Sequence, residues 1–424
     1  MTSSELPLSV DAFLEKSELY LEDASDSVNP VVEGADFAYN TTNIVRVNDD
    51  GVRLAAQHIR SKMRSETYSP RTWRTHPLHI CPPDPYVPNA ALTKTCLDWI
   101  FLISALNFSF WSEHEGTQGR FGVSWFESWE QPAGTNRQEK VWTGYWSSVA
   151  ALNRALQDDI PITDPAFYSS ETLCPDSLIE HVFRPADGCV ELVPLLPQRI
   201  AVMREVGFIL CQAFGGSYQT FLDEFQREHD GNGTALQLVH RVTDTFPSFR
   251  DEVFFQGRRV CLWKRAQILV AETWAAFYPE NALSPHPLFP GSAGPAIHQL
   301  TMFADYRVPQ ILHHLRILSY PQTLVAKLHA GTPLESGCAE ELSLRAASIV
   351  AVERVRKEMQ LLATVESAKT TMEEDKATED AVSSVLIDFY LWDLAKRVER
   401  GEERIEGLDT ADMVPTHRTR SIWY

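Results

Sequence analysis

The sequence predicts a mostly α-helical protein, a single helical domain with one small β element in its N-terminal third. Three observations carry this. Segment after segment from residue 50 onward repeats its apolar residues at the 3.6-residue period of a helix. Strand patterns do not alternate with helix patterns, which argues against a doubly wound α/β sheet. The stretch around 112–146 instead gathers Trp111, Trp125, Trp129, Trp142 and Trp146 between Gly and Asn breaks, as a hairpin or short meander would.

Taken in order, residues 1–40 are acidic and Ser-rich and read as a loose arm, with one short helix near Val10–Leu21. The domain proper then spans 41–424. Residues 50–63 carry helical spacing, and the Pro-rich stretch 64–90 reads as an irregular crossing. Residues 89–110 read as a buried helix running into extended chain. Helices follow over 149–156 and 202–214, the second closed by Gly215–Gly216, the usual C-terminal signal. Residues 235–246, 258–277, 308–318 and 339–365 also repeat at 3.6. Residues 366–380, SAKTTMEEDKATEDA, are too polar to pack and read as a solvated insertion before a last helix at about 381–399.

The chain has 424 residues, with 38 Lys and Arg against 57 Asp and Glu, a net charge of −19. An acidic surface is the wrong one for wrapping nucleic acid, where affinity comes from releasing phosphate counterions. A single nucleotide needs only a local basic pocket. Residues 1–14 hold Glu5 and Asp11 and no Lys or Arg, the reverse of a targeting peptide. The apolar run 97–108 is too short to span a bilayer. Seven cysteines without a CxxC pair read as reduced thiols. The expectation is an intracellular protein, cytoplasmic or nuclear, with no membrane association.

No GxGxxG, P-loop or GxSxG occurs, which weakens dinucleotide, NTPase and α/β-hydrolase readings. His76, His79 and Cys81 form an isolated HxxHxC cluster lacking the fourth ligand of a closed metal site, so no metal and no cofactor is expected. The segment 301–318, TMFADYRVPQILHHLRIL, is more informative. Pro309 pushes Val308 toward an extended conformation, so a helix should begin at or just before Pro309, with Phe303–Arg307 as the turn leading in. Asp305 then sits near a helix N-terminus, where the dipole favours its ionised form. Its commonest uses there are as a cap or as an ion-pair partner of Arg307.

Lys264 and Arg265 interrupt an apolar helix. They suit a phosphate clamp, or their stems lie along the surface with the heads in water. In LIDFYLWD (386–393), Asp388 and Asp393 are five residues apart, about 140° around a helix, so they share a pocket only from its two edges. The aromatic runs at 107–111 and 142–146 are core by default, and would also wall a planar heteroaromatic ligand.

Seven pieces, in register from about residue 45 to the end, resemble one family, the queuosine salvage proteins. They are LNFSFWSE (106–113), WTGYWSSVAALNRAL (142–156), PSFRD (247–251), KRAQILVAETW (264–274), TMFADYRVPQ (301–310), LIDFYLWD and the terminal HRTRSIWY. The departures are insertions within 114–139, 281–297 and 366–380. The resemblance implies an all-α core similar to helix-hairpin-helix DNA glycosylases, and hydrolysis of queuosine 5′-phosphate to queuine and ribose 5-phosphate.

It also implies residue roles. Asp305 is the catalytic carboxylate, as nucleophile or transition-state stabiliser. Phe303, Asp388, Phe389 and Asp393 bind the base, as does His79 of LHICPP. Phe389 stands where the family commonly has Tyr. Lys264, Arg265, Tyr306 and Arg307 are the candidate phosphate or ribose contacts. Two readings from other classes remain: a DNA-repair-type base glycosylase, against which the charge of −19 counts, and a non-catalytic nucleotide- or tRNA-binding protein.

Overall fold

The computed structural model describes residues 29–129, 138–367 and 382–424. In chain order the elements are α1 (Pro30–Thr42), β1 (Arg46–Val47), α2 (Asp49–Ser65), α3 (Ala91–Ala105), β2 (Gly122–Phe126), β3 (Glu139–Thr143), α4 (Tyr145–Gln157), α5 (Pro165–Tyr168), α6 (Asp176–Val182), α7 (Leu196–Ala213), α8 (Tyr218–Glu228), α9 (Ala235–Thr245), β4 (Glu252–Phe255), β5 (Arg258–Cys261), α10 (Lys264–Ala276), α11 (Val308–His314), β6 (Leu318–Ser319), α12 (Gln322–His329), α13 (Ala339–Ser367) and α14 (Ser384–Glu399). The protein is mostly α, as expected. The hairpin of the Trp-rich stretch is β2–β3, antiparallel, with Trp125 opposite Lys140 and Val123 opposite Trp142.

Helix α10 is the axis of the body. Every one of its residues is buried, and it packs on α3, on α9 and on the 3-10 turn Pro70–Thr75. Helix α13 packs on α1 and α2, and α14 lies across α11. The chain therefore brings the turn before α11, the outer face of α10 and the inner face of α14 to one place, which is where the main cavity opens.

Three expectations need correction. The arm expected over 1–40 does not extend to 40: Pro30–Thr42 is a packed helix. Asn29 caps it, its side chain accepting from the N–H of Val31 at 2.9 Å, and Pro30 takes the first turn, where no backbone donor is needed. Val31, Gly34, Ala35 and Ala38 fall on one buried face. The expected helix near 10–21 and most of 366–380 lie outside the described residues.

Second, the helix expected over 258–277 begins only at Lys264. Residues before it form the hairpin β4–β5. Its two-residue turn, Gln256–Gly257, has positive φ at both positions (45° and 81°), the twist a tight hairpin requires and a helix forbids. Third, the helix expected over 308–318 stops at His314. Arg316 turns left-handed (φ 58°), and Leu318 and Ser319 pair with Val47 and Arg46. The predicted stop at Gly215–Gly216 is present, both left-handed, with the Gly216 N–H returning to the carbonyl of Leu210 at 2.9 Å.

Candidate active site

A cavity of about 280 Å³ opens where α4, α10, α14, the 303–307 turn and the 68–79 crossing meet. That is near the lower end of the range for small-molecule sites. Of the residues singled out in the sequence, it collects His79, Lys264, Phe303, Asp305, Tyr306, Arg307, Asp388, Phe389 and Asp393. Arg265 is not among them.

Asp305 is 8% exposed. Its Oδ1 accepts the backbone N–H groups of Arg307 (2.8 Å) and Val308 (2.9 Å) and so caps the start of α11. Both hydrogen bonds fall on one oxygen, which leaves Oδ2 for the cavity. The expected alternative, an ion pair with Arg307, is not formed. The Arg307 guanidinium turns to Glu399 (2.8 Å) and Gln310 (3.1 Å). The turn is held from behind by Arg345, whose Nε donates to the Ala304 carbonyl at 2.9 Å while its guanidinium pairs with buried Asp251.

Asp388 comes from α14. Its Oδ1 accepts the Phe303 N–H at 3.0 Å. Burial, and then the nearby charge of Asp305, holds its carboxyl well above the usual range, which favours its protonated form. Asp393, one and a half turns on, accepts from the hydroxyl of Tyr68 at 2.8 Å, and burial raises it too. Both carboxyls line the cavity, from positions about 140° apart around the helix. Phe303 and Phe389 face each other with ring centroids 5.9 Å apart.

Lys264 and Arg265 are both buried, at 3% and 1% exposure, so neither head is in water. The Lys264 Nζ donates to the carbonyl (2.9 Å) and side chain (3.2 Å) of Asn107. Burial lowers its pKa to about 8, against the raising effect of Asp305. Arg265 leaves the helix on another side and donates to the carbonyls of Ala105 and Ser248, which makes it a structural tie rather than a phosphate ligand. Adjacent helix positions point about 100° apart, so a neighbouring pair rarely acts as one clamp.

The aromatic wall is built from the 68–79 crossing and α4. His76 lies flat on Trp146 (3.5 Å, 5°) and His79 on Trp73 (4.0 Å, 27°). Burial lowers the two imidazoles to about 2 and about 4, so both are neutral. The His79 Nδ1 lies 2.6 Å from the Trp73 carbonyl, which assigns the proton to Nδ1 and leaves Nε2 an acceptor, buried and unpartnered. Cys81 turns to the Arg74 carbonyl. Among the described residues no three His, Cys, Asp or Glu side chains group as a metal site would need.

A sequence profile described as queuosine salvage protein matches residues 87–424. The chain belongs to that family. It is similar to the queuosine 5′-phosphate N-glycosylase/hydrolase of Schizosaccharomyces pombe, 36% identical over 400 residues that cover 93% of this chain and 99% of the relative. Its counterpart in Mus musculus is 34% identical over 394 residues, 92% of this chain and 98% of the relative. The Bos taurus protein of the same name is 32% identical over 392 residues, again 92% and 98%.

The cavity includes side chains that sequence reasoning did not select. Glu272, on α10, lines the cavity with its carboxyl between the Tyr145 hydroxyl (3.3 Å) and Ser104 Oγ (3.5 Å), and burial raises it to about 8. Lys396 and Tyr424 also reach the cavity. Glu272 lay inside a quoted motif, but a helix buried all round has no periodicity to mark one polar position. The signal for Lys396 was its spacing of three from Asp393 on α14, which places both on one face.

Proposed function

We propose that this protein hydrolyses the N-glycosidic bond of queuosine 5′-phosphate, releasing queuine and ribose 5-phosphate. The observation that carries the reading is the pair Asp305 and Asp388, one carboxyl with a free oxygen and one whose protonated form burial favours, in a single aromatic-walled cavity. As the C1′–N bond breaks, positive charge builds on the ribose. The free Oδ2 of Asp305 meets that charge electrostatically or by adding to C1′, and water then completes the hydrolysis. Water's oxygen ends on C1′ and one of its protons on the base.

Queuine is a 7-deazaguanine and offers no N7 to protonate, so hydrogen bonds to its guanine edge and side chain carry more of the work. Asp388, Asp393 and His79 supply them, and Phe303 and Phe389 flank the ring plane. Queuine's secondary ammonium is suited to a carboxyl-rich end of the cavity. We read the helical core as similar to that of helix-hairpin-helix DNA glycosylases, supported by a mostly helical body with the key carboxylate in a turn that enters a helix. The net charge of −19 favours a free nucleotide over duplex DNA as substrate, and no stable nucleic-acid complex is proposed.

Incubation with queuosine 5′-phosphate and detection of queuine and ribose 5-phosphate tests this. Absence of both products overturns it and leaves a binding protein. Release of bases from damaged duplex DNA would favour the repair-glycosylase reading instead.

A further inference from the structure

Lys264, Asp305 and Tyr424 line the cavity from three separate parts of the chain. Behind them lies a buried ion pair that does not line it, Asp251 with Arg345. Asp251 serves the start of α10. Trp263, the residue before that helix, is left-handed (φ 45°) and supplies no side-chain cap. Asp251 does so from 13 residues upstream of Lys264. Its carbonyl accepts the N–H groups of Leu262 (2.9 Å) and Trp263 (3.2 Å), and its Oδ2 accepts the N–H of Lys264 (3.2 Å). The first N–H groups of a helix have no internal partner. This cap therefore fixes where α10 begins and from where the Lys264 side chain enters the cavity.

Arg345, on α13, joins that cap to the turn that carries Asp305. Its Nη1 donates to Asp251 Oδ1 at 3.0 Å and its Nη2 to Asp251 Oδ2, a bidentate pair. Its Nε donates to the carbonyl of Ala304, the residue before Asp305, at 2.9 Å. The ring of Tyr424 lies over the same guanidinium, 4.3 Å from Cζ. Glu341 Oε1, 3.6 Å from Nη1, adds a second carboxyl. A guanidinium holds its donors in a rigid plane, so its partners are fixed relative to one another. Burying such charges brings little net stability, because desolvation offsets their attraction. What the arrangement supplies is geometry.

We propose that Asp251 and Arg345 are positioning residues for the hydrolysis: together they hold the Asp305 carboxyl in a fixed place relative to Lys264 and the Tyr424 ring, without touching the substrate. The inference rests on the reading of the cavity as a site for cleaving queuosine 5′-phosphate. The free oxygen of Asp305 has to meet C1′, and a reacting group displaced by about 1 Å costs on the order of 100-fold in rate. Asp388, Phe389 and Asp393, on α14, make no hydrogen bond to Arg345 or Asp251. Loss of the tie should therefore lower kcat and leave KM nearly as it is.

Arg345→Lys is the discriminating variant. Its ammonium keeps a charge opposite Asp251 but loses the planar fork that also holds the Ala304 carbonyl. With queuosine 5′-phosphate, and per folded molecule as measured by denaturant melts, kcat should fall roughly 10- to 100-fold with KM within about 3-fold of wild type. Wild-type kcat in folded Arg345→Lys overturns the proposal, as does a loss confined to KM. Backbone hydrogen exchange on the full chain gives a second readout that needs no substrate. Asp251 makes no contact with Arg307 or Val308, yet Asp251→Asn frees Arg345 from its partner, so exchange of the two N–H groups that Asp305 accepts should quicken. Wild-type exchange there in folded Asp251→Asn overturns the coupling. So does an increase spread equally to α8, which would mark a general loss of stability. If Arg345→Lys does not fold, Asp251→Asn carries both readouts. A wild type that releases no queuine from queuosine 5′-phosphate would sink the functional reading, and the exchange measurement would still decide whether the pair holds the turn.

Discussion

Asp388 and Asp305 enter the cavity from different elements yet are tied through one residue: Asp388 Oδ1 accepts the N–H of Phe303 at 3.0 Å, and the Phe303 carbonyl accepts the N–H of Asp305 at 2.7 Å. Two carboxyls in one buried space do not both ionise readily. Here the asymmetry is structural. Asp305 receives two backbone N–H groups at a helix start, while Asp388 receives one and burial pushes its carboxyl up.

Asp305→Asn should fold with a stability close to wild type and lose nearly all activity. Asn still accepts the N–H groups of Arg307 and Val308, and it ranks with Asp as a helix cap. What it lacks is the charge facing the cavity. Loss of a transition-state carboxylate should cost several kcal/mol, on the order of 10³-fold in kcat. Turnover near wild type in a variant with unchanged melting temperature would remove Asp305 from the chemistry.

Asp388→Ala and Asp393→Ala should each weaken queuine binding by roughly 1.5–3 kcal/mol, the worth of a hydrogen bond to a charged group. Asp388→Ala also strands the buried N–H of Phe303, so it should lower stability, whereas Asp388→Asn preserves that acceptor. Calorimetry with queuine, paired with thermal melts, separates the two effects. Unchanged affinity in both folded alanine variants would mean that α14 does not read the base.

Arg265→Ala should lower stability by roughly 2–5 kcal/mol, because a buried cation and its two carbonyl partners are disconnected. It should leave the preference for phosphorylated over unphosphorylated substrate as it is. A changed preference would return Arg265 to the phosphate site, against its hydrogen bonds to Ala105 and Ser248.

The helices were legible wherever one face is apolar, and the turn at Phe303–Arg307 was legible because Pro309 dictates it. The boundary at Lys264 was not, since Arg258–Cys261 continue an apolar pattern and only the backbone twist at Gln256–Gly257 declares a hairpin. Most of the site followed from motifs, but which head faces the cavity did not. Lys264 and Arg265 look alike in sequence, and their partners lie about 160 residues away for the Lys264–Asn107 and Arg265–Ala105 pairs.

Glu272 makes the protein's stability depend on pH in a way that one substitution removes. Burial raises its carboxyl from the ordinary 4.5 to about 8, and its hydrogen bonds to Tyr145 and Ser104 only partly oppose that. A carboxyl with a raised folded-state pKa holds its proton more tightly in the native protein than in the unfolded chain. Its contribution is therefore fully present below pH 4.5 and is lost as the pH rises through about 8. Gln in its place can accept from one of the Tyr145 and Ser104 hydroxyls through its oxygen and donate to the other through its amide, and it does not titrate. Denaturant unfolding of wild type and Glu272→Gln from pH 5 to pH 8 should show a difference that shifts steadily towards the variant, by about a few kcal/mol over that window. Lys264, lowered to about 8, acts in the opposite sense but only above that pH, where its deprotonation relieves the cost of a buried charge. A wild-type-to-variant difference that stays constant from pH 5 to pH 8 would mean that Glu272 is ionised throughout, and the neutral acid inferred between Tyr145 and Ser104 would be wrong.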